Sequence, residues 1–499
     1  METNRGAPTP PIAFRSGAAT ATAHLTAPPV AVDDALAARI EGTGAVVDRA
    51  GETISEASRD WWPLAMIWAL DDQVAARASA VVRPSTVEQV GEVLRACNEA
   101  RVPVTAAAGR SGVCGASVPV FGGVLLDLTC LSGIVDVDST SMLVDVLPGT
   151  FGDVFEEQLR AEHGLTCGHW PQSMALSTVG GWIACRGAGQ LSTRYGKIED
   201  IVHGLDVVLA DGSVITTGGA PRAAVGPDLD QLFLGSEGTL GVIVGARLRA
   251  HPSPAAEGRA AHAFSLFTDA LDTMRRIVQR GATPAVLRLH DAIEADRTYH
   301  TGDANLLLVL DEGDAHIVDA TMRIVAEECG AADAIDVALV EQWLEHRNDV
   351  SALEALVQRG FVVDTMEVSG TWRALPAIYE RTTEAMRAVE HTLVASAHQS
   401  HSYIDGGCLY FTFAGRPPEE SREAYYREIW DVGQRSVLAA GGALSHHHGV
   451  GLNRARFVRD ALGPSFDVLV RVKHALDPNG ILNPGKLGLP SPFGDLDWP

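Results

Sequence analysis

The 499-residue sequence predicts an α+β protein of two or three domains, and three observations support this prediction. Its length exceeds what a single ordinary hydrophobic core accommodates. Short apolar strands alternate with helices between Val81 and Arg249, which is typical of an α/β domain. After the His-Pro-Ser-Pro sequence at residues 251–254, long amphipathic helices mix with strands to about Leu444. We therefore expect a second, α+β domain in that region.

These changes of pattern divide the chain into four segments. Residues 1–32 are rich in Ala, Pro and Thr, and we expect them to form a mobile tail. Residues 33–253 form the first domain, residues 254–450 the second, and residues 451–499 a C-terminal segment. The sequence contains no internal repeat.

The elements of the first domain follow from local signals. Ser85 is the expected N-cap of a helix that ends at Ala100. The turn Asp211-Gly212 joins two of the strands. The strands are expected at Pro103–Ala107, Gly123–Leu128, Ser141–Val146, Asp206–Leu209, Ser213–Thr216 and Gly241–Leu248.

Local signals also predict the helices and strands of the second domain and of the C-terminal segment. Apolar residues at helical spacing predict helices over Ser265–Arg280 and Asp314–Cys329, and strands are expected at Asn305–Leu310 and Gly407–Phe413. A last helix, Ser465–Leu476, is expected to end at an Asp-Pro-Asn-Gly turn, which is followed by a short apolar strand.

Composition excludes several classes of function. The 39 basic and 63 acidic residues give a net charge of −24, which opposes binding to nucleic acid or to anionic lipid. No apolar run reaches the roughly 18 residues of a membrane span, and no signal sequence begins the chain. The seven cysteines lack the close spacing of zinc ligands, so we expect no metal site, no disulfide scaffold and a cytoplasmic location.

A glycine-rich segment directly follows the strand at Pro103 and reads Ala-Gly-Arg-Ser-Gly-Val-Cys-Gly over residues 108–115. Closely spaced glycines allow successive backbone N–H groups to point at one anion, as in a pyrophosphate site. The glycines do not form a GxGxxG fingerprint, and no helix opens after them, which disfavours a nicotinamide Rossmann fold. On this segment alone, a purely structural turn remains the alternative.

Two further segments make the pattern specific. One runs through Ser-Thr-Val-Gly-Gly-Trp at residues 177–182 and Tyr-Gly-Lys-Ile-Glu-Asp at residues 195–200, and the other is Gly-Ser-Glu-Gly-Thr-Leu-Gly-Val-Ile at residues 235–243. In this order, the segments resemble the vanillyl-alcohol-oxidase or PCMH-type FAD-binding fold, and within it the alkylglycerone-phosphate synthase family. The resemblance spans residues 82–487, and it is weaker over residues 254–396. It implies a two-subdomain PCMH-type FAD-binding domain, with residues 254–450 as an α+β cap domain that holds an antiparallel sheet.

The resemblance also implies a set of FAD-binding residues. The pyrophosphate would contact Gly109, Arg110, Ser111, Gly112 and Gly115, and the isoalloxazine and ribityl region would contact Pro171, Ser173, Thr178, Gly180, Gly181 and Trp182. The adenine side would contact Glu237, Thr239, Gly241 and Ile243, while Asn483 and Lys486 would return from the C-terminal segment to the flavin. Members with covalently bound flavin carry His or Cys where this chain has Arg110 and Leu176, so non-covalent FAD is expected.

The substrate side is expected to contain His447, His448, Tyr410 and Arg288. Three consecutive histidines at residues 446–448 could transfer protons or bind an incidental metal, because imidazoles titrate near neutral pH. By resemblance, His448 transfers a proton and Tyr410 is its phenol partner; on pattern alone, Tyr410 could equally be a core aromatic residue. A guanidinium at Arg288 could bind a carboxylate or a phosphate, with a surface salt bridge as the alternative.

Two functions remain open at this point. The favoured one is an FAD-dependent oxidoreductase that oxidises an alcohol or a 2-hydroxy acid by hydride transfer to flavin N5. The alternative is a synthase that exchanges an acyl group for an alkyl chain on a ketone phosphate. Against the synthase, His398 replaces one arginine of that family, and Arg347 and Arg359 are only the nearest candidates for another. The substrate is a small molecule that could be anionic, and a homodimer is compatible with the sequence.

Overall fold

The computed structural model describes residues 10, 12–15, 17–25, 27–350 and 352–496. Its first subdomain is built on a four-stranded sheet in the order Val46–Asp48, Ala80–Arg83, Val124–Asp127 and Val104–Ala107. The last three strands are parallel, and helix Val87–Ala100 covers the sheet. This helix begins one residue later than expected, because Thr86 and not Ser85 is its N-cap and accepts a hydrogen bond from the N–H of Gln89.

The second subdomain contains an antiparallel five-stranded sheet. Its strands, in spatial order, are Val214–Thr216, Val202–Val208, Val242–Arg249, Leu143–Val146 and Ile134–Asp138. The first two form the hairpin that the Asp211-Gly212 turn predicts, and Gly212 adopts a positive φ of 80° there. The strand expected from Asp206 begins four residues earlier, at Val202, where it pairs with Leu248.

Residues 254–450 contain a seven-stranded sheet, here named the cap sheet. Its strands are ordered Asp333–Ala334, Ala256–Phe264, Asn305–Gly313, Val286–His290, Thr392–Ser402, Gly406–Gly415 and Val362–Thr371, and every pairing is antiparallel. Alternate side chains such as Leu287, Leu289, Phe411 and Phe413 are buried in a large apolar cluster on one side. The polar side chains on the opposite face are therefore available to form a site.

The register of the cap sheet aligns four polar residues in one row. His290 is paired with His398, His398 with Tyr410, and Tyr410 with Glu367. Directly paired residues of antiparallel strands lie on the same face, as do residues two apart along one strand. Arg288 thus lies on this face as well, within strand Val286–His290.

The helices complete the two domains. In the first domain they are Asp34–Glu41, Gly51–Ala57, Pro63–Ala69, Val87–Ala100, Gly152–His163, Val179–Cys185, Ser192–Tyr195, Ile198–Ile201 and Asp230–Phe233. Those after residue 254 are Phe267–Gln279, Ala292–Tyr299, Ala315–Glu328, Ala338–His346, Ala352–Gln358, Leu375–Ala388, Arg422–Ala439, Val458–Leu462 and Ser465–Leu476. Short 3₁₀ helices lie at Glu419–Ser421 and Ala455–Phe457. In the part of the chain that the structure describes, no helix is long and apolar enough to cross a membrane.

Both ends of the described chain pack against the first domain. Ile12 is buried, its carbonyl accepts a hydrogen bond from Arg59, and strand Thr20–Ala21 pairs with Gln73–Val74. Within residues 1–32, where a mobile tail is expected, Ile12 and strand Thr20–Ala21 thus contact the first domain. Residues 1–9, 11, 16 and 26 lie outside the described residues. All seven cysteines are unpaired.

The C-terminal segment extends the four-stranded sheet. Helix Ser465–Leu476 has the predicted bounds, and the turn after it leads into residues 481–483. The N–H of Val104 donates to the carbonyl of Ile481 at 2.8 Å, and the N–H of Asn483 donates to the carbonyl of Val104 at 2.8 Å. The segment therefore lies beside the strand that precedes the first glycine-rich loop.

Candidate active site

A cavity of about 790 Å³ lies between the two subdomains and the polar face of the cap sheet. Thirteen of the seventeen predicted cofactor-binding residues line it, together with all four predicted catalytic residues. The thirteen are Gly109, Arg110, Ser111, Gly112, Pro171, Ser173, Thr178, Gly180, Gly181, Trp182, Glu237, Gly241 and Ile243. Segments far apart in the sequence thus meet around one volume, as expected for a cofactor and its substrate.

The other four predicted residues, Gly115, Thr239, Asn483 and Lys486, do not line the cavity. Asn483 donates from Nδ2 to the carbonyls of Ala116 and Glu237, at 3.0 and 2.6 Å. Lys486 Nζ donates to the carbonyl of Val118 at 2.7 Å, and Thr239 Oγ1 donates to that of Ser236 at 2.7 Å. The side chains of Asn483, Lys486 and Thr239 stabilise the loops from outside the cavity wall, because their polar atoms donate hydrogen bonds to backbone carbonyls.

Glycine is needed where the first and second glycine-rich segments cross. A Cβ at Gly109 would lie 2.5 Å from the carbonyl oxygen of Leu176, and one at Gly180 would lie 2.6 Å from Cβ of Pro148. In contrast, a Cβ at Gly112 or Gly181 would meet nothing closer than 3.4 Å. Gly109 therefore allows the first segment to pack on the backbone of the second, and Gly180 allows the second segment to pack on Pro148. Gly112 and Gly181 instead leave space on the cavity side.

The cofactor side of the cavity offers polar atoms that no described protein group satisfies. Buried atoms without a hydrogen-bond partner in the described chain include Oγ1 of Thr178, Nε of Arg110, Nε1 of Trp61 and both ring nitrogens of His169. Unsatisfied buried polar groups are costly, so such a concentration is typical of a ligand site. Ala106, Leu128 and Val242 add apolar walls. This mixture of apolar surface, glycine backbone and unsatisfied donors fits FAD.

On the substrate side, two imidazoles hold Arg288. Its Nε donates to Nε2 of His290 at 3.2 Å, and its Nη2 lies 2.8 Å from Nε2 of His398. Because a guanidinium only donates, both Nε2 atoms act as acceptors, so each ring carries its proton on Nδ1. Nδ1 of His398 then donates to the Glu294 carboxylate at 2.9 Å, and Nδ1 of His290 faces the same oxygen at 3.3 Å.

The charge of Arg288 is consequently not neutralised by direct contact with a carboxylate. Burial and the charge of Arg288 lower the pKa of His398 to about 4, and burial also lowers the pKa of His290. Burial would raise the pKa of Glu294, yet the imidazoles hold it well below its usual value. Two neutral rings thus separate the guanidinium from the carboxylate, and Arg288 presents its positive charge to the cavity.

Tyr410 and His448 form the second polar pair of the site. The Tyr410 hydroxyl lies 3.5 Å from Nε2 of His448 and accepts a hydrogen bond from Thr365 Oγ1 at 3.0 Å. Burial lowers the pKa of His448 to about 4, although the Glu367 carboxylate acts in the opposite direction. Burial raises the pKa of Tyr410. At neutral pH the pair is therefore a neutral imidazole that can accept a proton and a phenol that can pass one on.

Glu367 fixes the loop that carries the histidines. Its carboxylate accepts hydrogen bonds from Ser445 Oγ at 2.7 Å, from the N–H groups of His446 and His447 at 2.8 and 3.3 Å, and from the N–H of His448. Arg454 Nη1 donates to it at 3.0 Å, and both side chains are fully buried. Burial would raise the pKa of Glu367, but Arg454 and His448 keep it below its usual value.

The remaining imidazoles form a compact group. Nδ1 of His446 lies 2.9 Å from Nδ1 of His447, and Nδ1 of His401 lies 2.7 Å from Ser192 Oγ. One nitrogen of each ring lies within 4.8 Å of the others, a spacing that could hold a metal ion. His447, a predicted catalytic residue, belongs to this group and lines the cavity beside His448, 4.5 Å away between ring centres.

Sequence reasoning missed Glu294, Glu367 and His401. Glu367 offered a signal, because two acidic residues, Asp364 and Glu367, interrupt the apolar strand Val362–Thr371. Glu294 offered none, since an acidic residue near the start of a helix is common at protein surfaces. Of the two arginine candidates, Arg347 lines the cavity and the exposed Arg359 does not.

Comparison with known proteins agrees with this geometry. Residues 78–218 match the family described as FAD binding domain, and residues 253–487 match FAD linked oxidases, C-terminal domain. The chain is 32% identical over 432 residues to the uncharacterized FAD-linked oxidoreductase YgcU of Escherichia coli O157:H7, covering 82% of this chain and 88% of that protein. It is 27% identical over 437 residues to glycolate oxidase subunit GlcD of Bacillus subtilis (strain 168), covering 83% and 90%.

Among solved structures, an alkyldihydroxyacetonephosphate synthase superposes with a TM-score of 0.76 at 23% identity, covering 92% of this chain and 86% of that one. The predicted α+β, PCMH-type FAD-binding fold is therefore confirmed, as is FAD as the cofactor. The chain belongs to the FAD-linked oxidoreductase family and is an FAD-dependent oxidoreductase.

Proposed function

We propose that the enzyme oxidises a small 2-hydroxy acid, with Arg288 binding the substrate carboxylate and the Tyr410–His448 pair removing the hydroxyl proton. The observation that carries this proposal is the arrangement of a guanidinium and a neutral acceptor pair on one face of the cap sheet, in the cavity that the glycine-rich loops enter. The similarity to a glycolate oxidase subunit supports a 2-hydroxy acid over an unsubstituted alcohol.

Arg288 orients the substrate in this mechanism. Its guanidinium uses one N–H group for each imidazole and keeps the others for a carboxylate, which a planar fork binds through two parallel hydrogen bonds. Holding the carboxylate fixes the neighbouring C–H bond relative to the flavin side of the cavity, and positioning of this kind accounts for a large share of catalysis.

The proton leaves through Tyr410. Because Thr365 donates to the phenol oxygen, the Tyr410 proton is free to move to Nε2 of His448 while the phenol takes the proton of the substrate hydroxyl. The imidazole accepts it, since its low pKa keeps it unprotonated at neutral pH. When bound, FAD supplies the hydride acceptor, and the protein supplies placement and proton transfer.

Anaerobic mixing with a panel of 2-hydroxy acids and simple alcohols tests the proposal. We expect bleaching of the oxidised flavin band by at least one 2-hydroxy acid and slower or no bleaching by the matching alcohol. No bleaching by any 2-hydroxy acid would contradict the proposal. Release of a fatty acid from an acyl-ketone phosphate without lasting bleaching would instead favour the synthase-type exchange.

We also propose that the FAD is bound without a covalent bond. Arg110 and Leu176, at the two positions that carry His or Cys in covalent relatives, cannot form the bond, although Cys185 and His169 also line the cavity. Precipitation with acid is expected to leave the flavin in the supernatant. Flavin that stays with the precipitated protein would contradict this proposal.

A further inference from the structure

We propose that the substrate carries two anionic groups and that Arg347 binds the group farther from the reacting carbon. The inference rests on the proposed function, because it takes Arg288 as the residue that binds the first carboxylate. It adds a second binding site for an anion within the same cavity and narrows the substrate class to a short dianion, such as a 2-hydroxy dicarboxylate.

Arg347 follows helix Ala338–His346 and lines the cavity. Its guanidinium lies 5.1 Å from the ring centre of Trp170 and 5.5 Å from that of Trp343. Burial lowers the pKa of Arg347 to about 10, so the side chain is still charged at neutral pH. The two aromatic rings hold this charge at a defined place in the cavity wall.

Within the described part of the chain, no carboxylate lies within 4.0 Å of the Arg347 guanidinium; its acidic neighbours Glu312 and Glu257 act from farther away. Elsewhere in the protein, largely buried arginines are paired, as Arg194 is with Asp311 and Arg454 with Glu367. A partly buried cation without an anion is costly, and contact with aromatic rings offsets only part of that cost. Arg347 therefore has no paired carboxylate within the described chain, and an anionic ligand can take that place.

The position of Arg288 sets an upper limit on the size of that ligand. Its guanidinium lies 6.0 Å from the Trp343 ring centre, and that of Arg347 lies 5.5 Å from the same centre, so the two cations are at most 11.5 Å apart. A carboxylate bound through two hydrogen bonds places its carbon about 4 Å from the guanidinium carbon. A short dicarboxylate can therefore reach both cations within this limit, whereas a molecule with one anionic group leaves one arginine without a partner.

Binding of unreactive anions to the FAD-loaded enzyme tests the inference without requiring turnover. Malonate, succinate and glutarate would be titrated against propionate, butyrate and valerate, with perturbation of the visible flavin spectrum as the signal. We expect at least one dicarboxylate to bind more tightly than the monocarboxylate of equal length. Arg347→Gln should weaken that dicarboxylate about 10- to 100-fold and leave the monocarboxylate unchanged.

Arg359→Gln is the matched control, because Arg359 is an exposed arginine of the same domain outside the cavity. It should bind both classes as the unmodified enzyme does. Equal binding of the two classes by the unmodified enzyme would overturn the inference. So would an equal loss for both classes in Arg347→Gln, or a loss of FAD affinity in that variant, which would assign Arg347 to the flavin.

The failures of the two proposals are distinguishable. If no 2-hydroxy acid reduces the flavin but Arg347→Gln selectively loses dicarboxylate binding, the proposed oxidation is wrong and the second anion site stands. If a 2-hydroxy monocarboxylate reduces the flavin at equal rates in the unmodified enzyme and in Arg347→Gln, and dicarboxylates show no advantage, the oxidation stands and the second site is wrong.

Discussion

At the scale of single residues, one donor shared by two imidazoles limits which ring can accept a proton in the reaction. Nε2 of both His290 and His398 is occupied by Arg288, so neither ring can serve as the base of the reaction. Nε2 of His448 faces only the Tyr410 hydroxyl, at 3.5 Å. His448 therefore has the geometry of a proton acceptor, whereas His290 and His398 do not.

Replacement of this acceptor gives the most direct prediction. His448→Gln should slow flavin reduction by a confirmed substrate about 100- to 10,000-fold, because general-base catalysis contributes effects of that size. FAD content should be unchanged. Stopped-flow absorbance under anaerobic conditions measures the rate. The exposed His474→Gln is the control, and an unchanged rate in His448→Gln would remove His448 from the mechanism.

The pKa of His448 adds a second prediction. The ring must be neutral to accept a proton, and burial lowers its pKa to about 4. The rate of flavin reduction should therefore stay level from neutral pH down to about pH 5 and fall below that, as the ring becomes protonated. Stopped-flow rates across this range measure the profile. A decline centred near pH 6.5 would indicate an unburied imidazole as the base.

At the scale of elements, the histidine loop depends on one carboxylate from a neighbouring strand. Glu367→Gln would leave the fully buried Arg454 without its counter-charge. We expect a loss of about 3–5 kcal/mol in the free energy of unfolding, as for other broken buried ion pairs. Denaturant titration of the FAD-loaded protein measures it.

The control for that variant is Glu99→Gln, which breaks an ion pair between two exposed side chains, Glu99 and Arg39. Exposed pairs contribute about 0–1 kcal/mol, so this change should have little effect. A similar loss of unfolding free energy in both variants would show that the buried Glu367–Arg454 pair contributes no more to stability than an exposed pair does. A stable Glu367→Gln protein with unchanged flavin reduction would remove its role as the anchor of the loop.

The crossing of the two glycine-rich loops yields another prediction at this scale. Gly109→Ala places a Cβ against the carbonyl oxygen of Leu176, so the loops must separate and FAD binding should be largely lost. Flavin fluorescence titration of the apoprotein measures it. In Gly51→Ala, the new Cβ would meet nothing closer than 3.5 Å, and FAD binding should be retained. Retained FAD binding in Gly109→Ala would show that the two glycine-rich loops can move apart without loss of the FAD site.

Most elements could be predicted from the sequence, whereas the site could be predicted only in part. Apolar periodicity located helices such as Ser465–Leu476, and glycine spacing located the cofactor loops, because both signals are local. The imidazole contacts of Arg288 arise from strand register across the cap sheet, which no local pattern encodes. For the same reason, the positions of Asn483 and Lys486 behind the cavity, and not in its wall, could not be foreseen.

At the scale of the whole molecule, buried histidines should make the protein sensitive to acid. Burial lowers the pKa of His169 to about 3 and the pKa values of His398 and His448 to about 4. Between pH 6.5 and about 4 the unfolded chain binds protons that the folded chain does not, so stability falls as the pH falls. Each such histidine contributes up to about 3 kcal/mol.

Four buried carboxyl groups, Asp60, Glu237, Asp291 and Asp364, act in the opposite direction, because burial raises their pKa values. Burial raises the pKa values of Asp60 and Asp364 to about 7, so these groups favour the folded state as the pH falls toward 4. Burial lowers the pKa values of nine histidines in the described chain, so they outnumber these carboxyl groups. We therefore expect a net decrease of the melting temperature from pH 7.5 to pH 5, measured by scanning calorimetry. The melting temperature of His448→Gln should decrease less than that of the unmodified protein. An equal decrease would contradict the assignment of acid sensitivity to the buried histidines.

The pairing of residues 481–483 with strand Val104–Ala107 also has a consequence for biosynthesis. That strand leads into the first glycine-rich loop, and Asn483 and Lys486 hold the carbonyls of the segment that follows it. A chain still emerging from the ribosome has the loop long before it has these partners, and domains complete their packing only when all their segments are available. We therefore expect nascent chains that end before residue 481 to capture FAD poorly, so that cofactor loading follows translation.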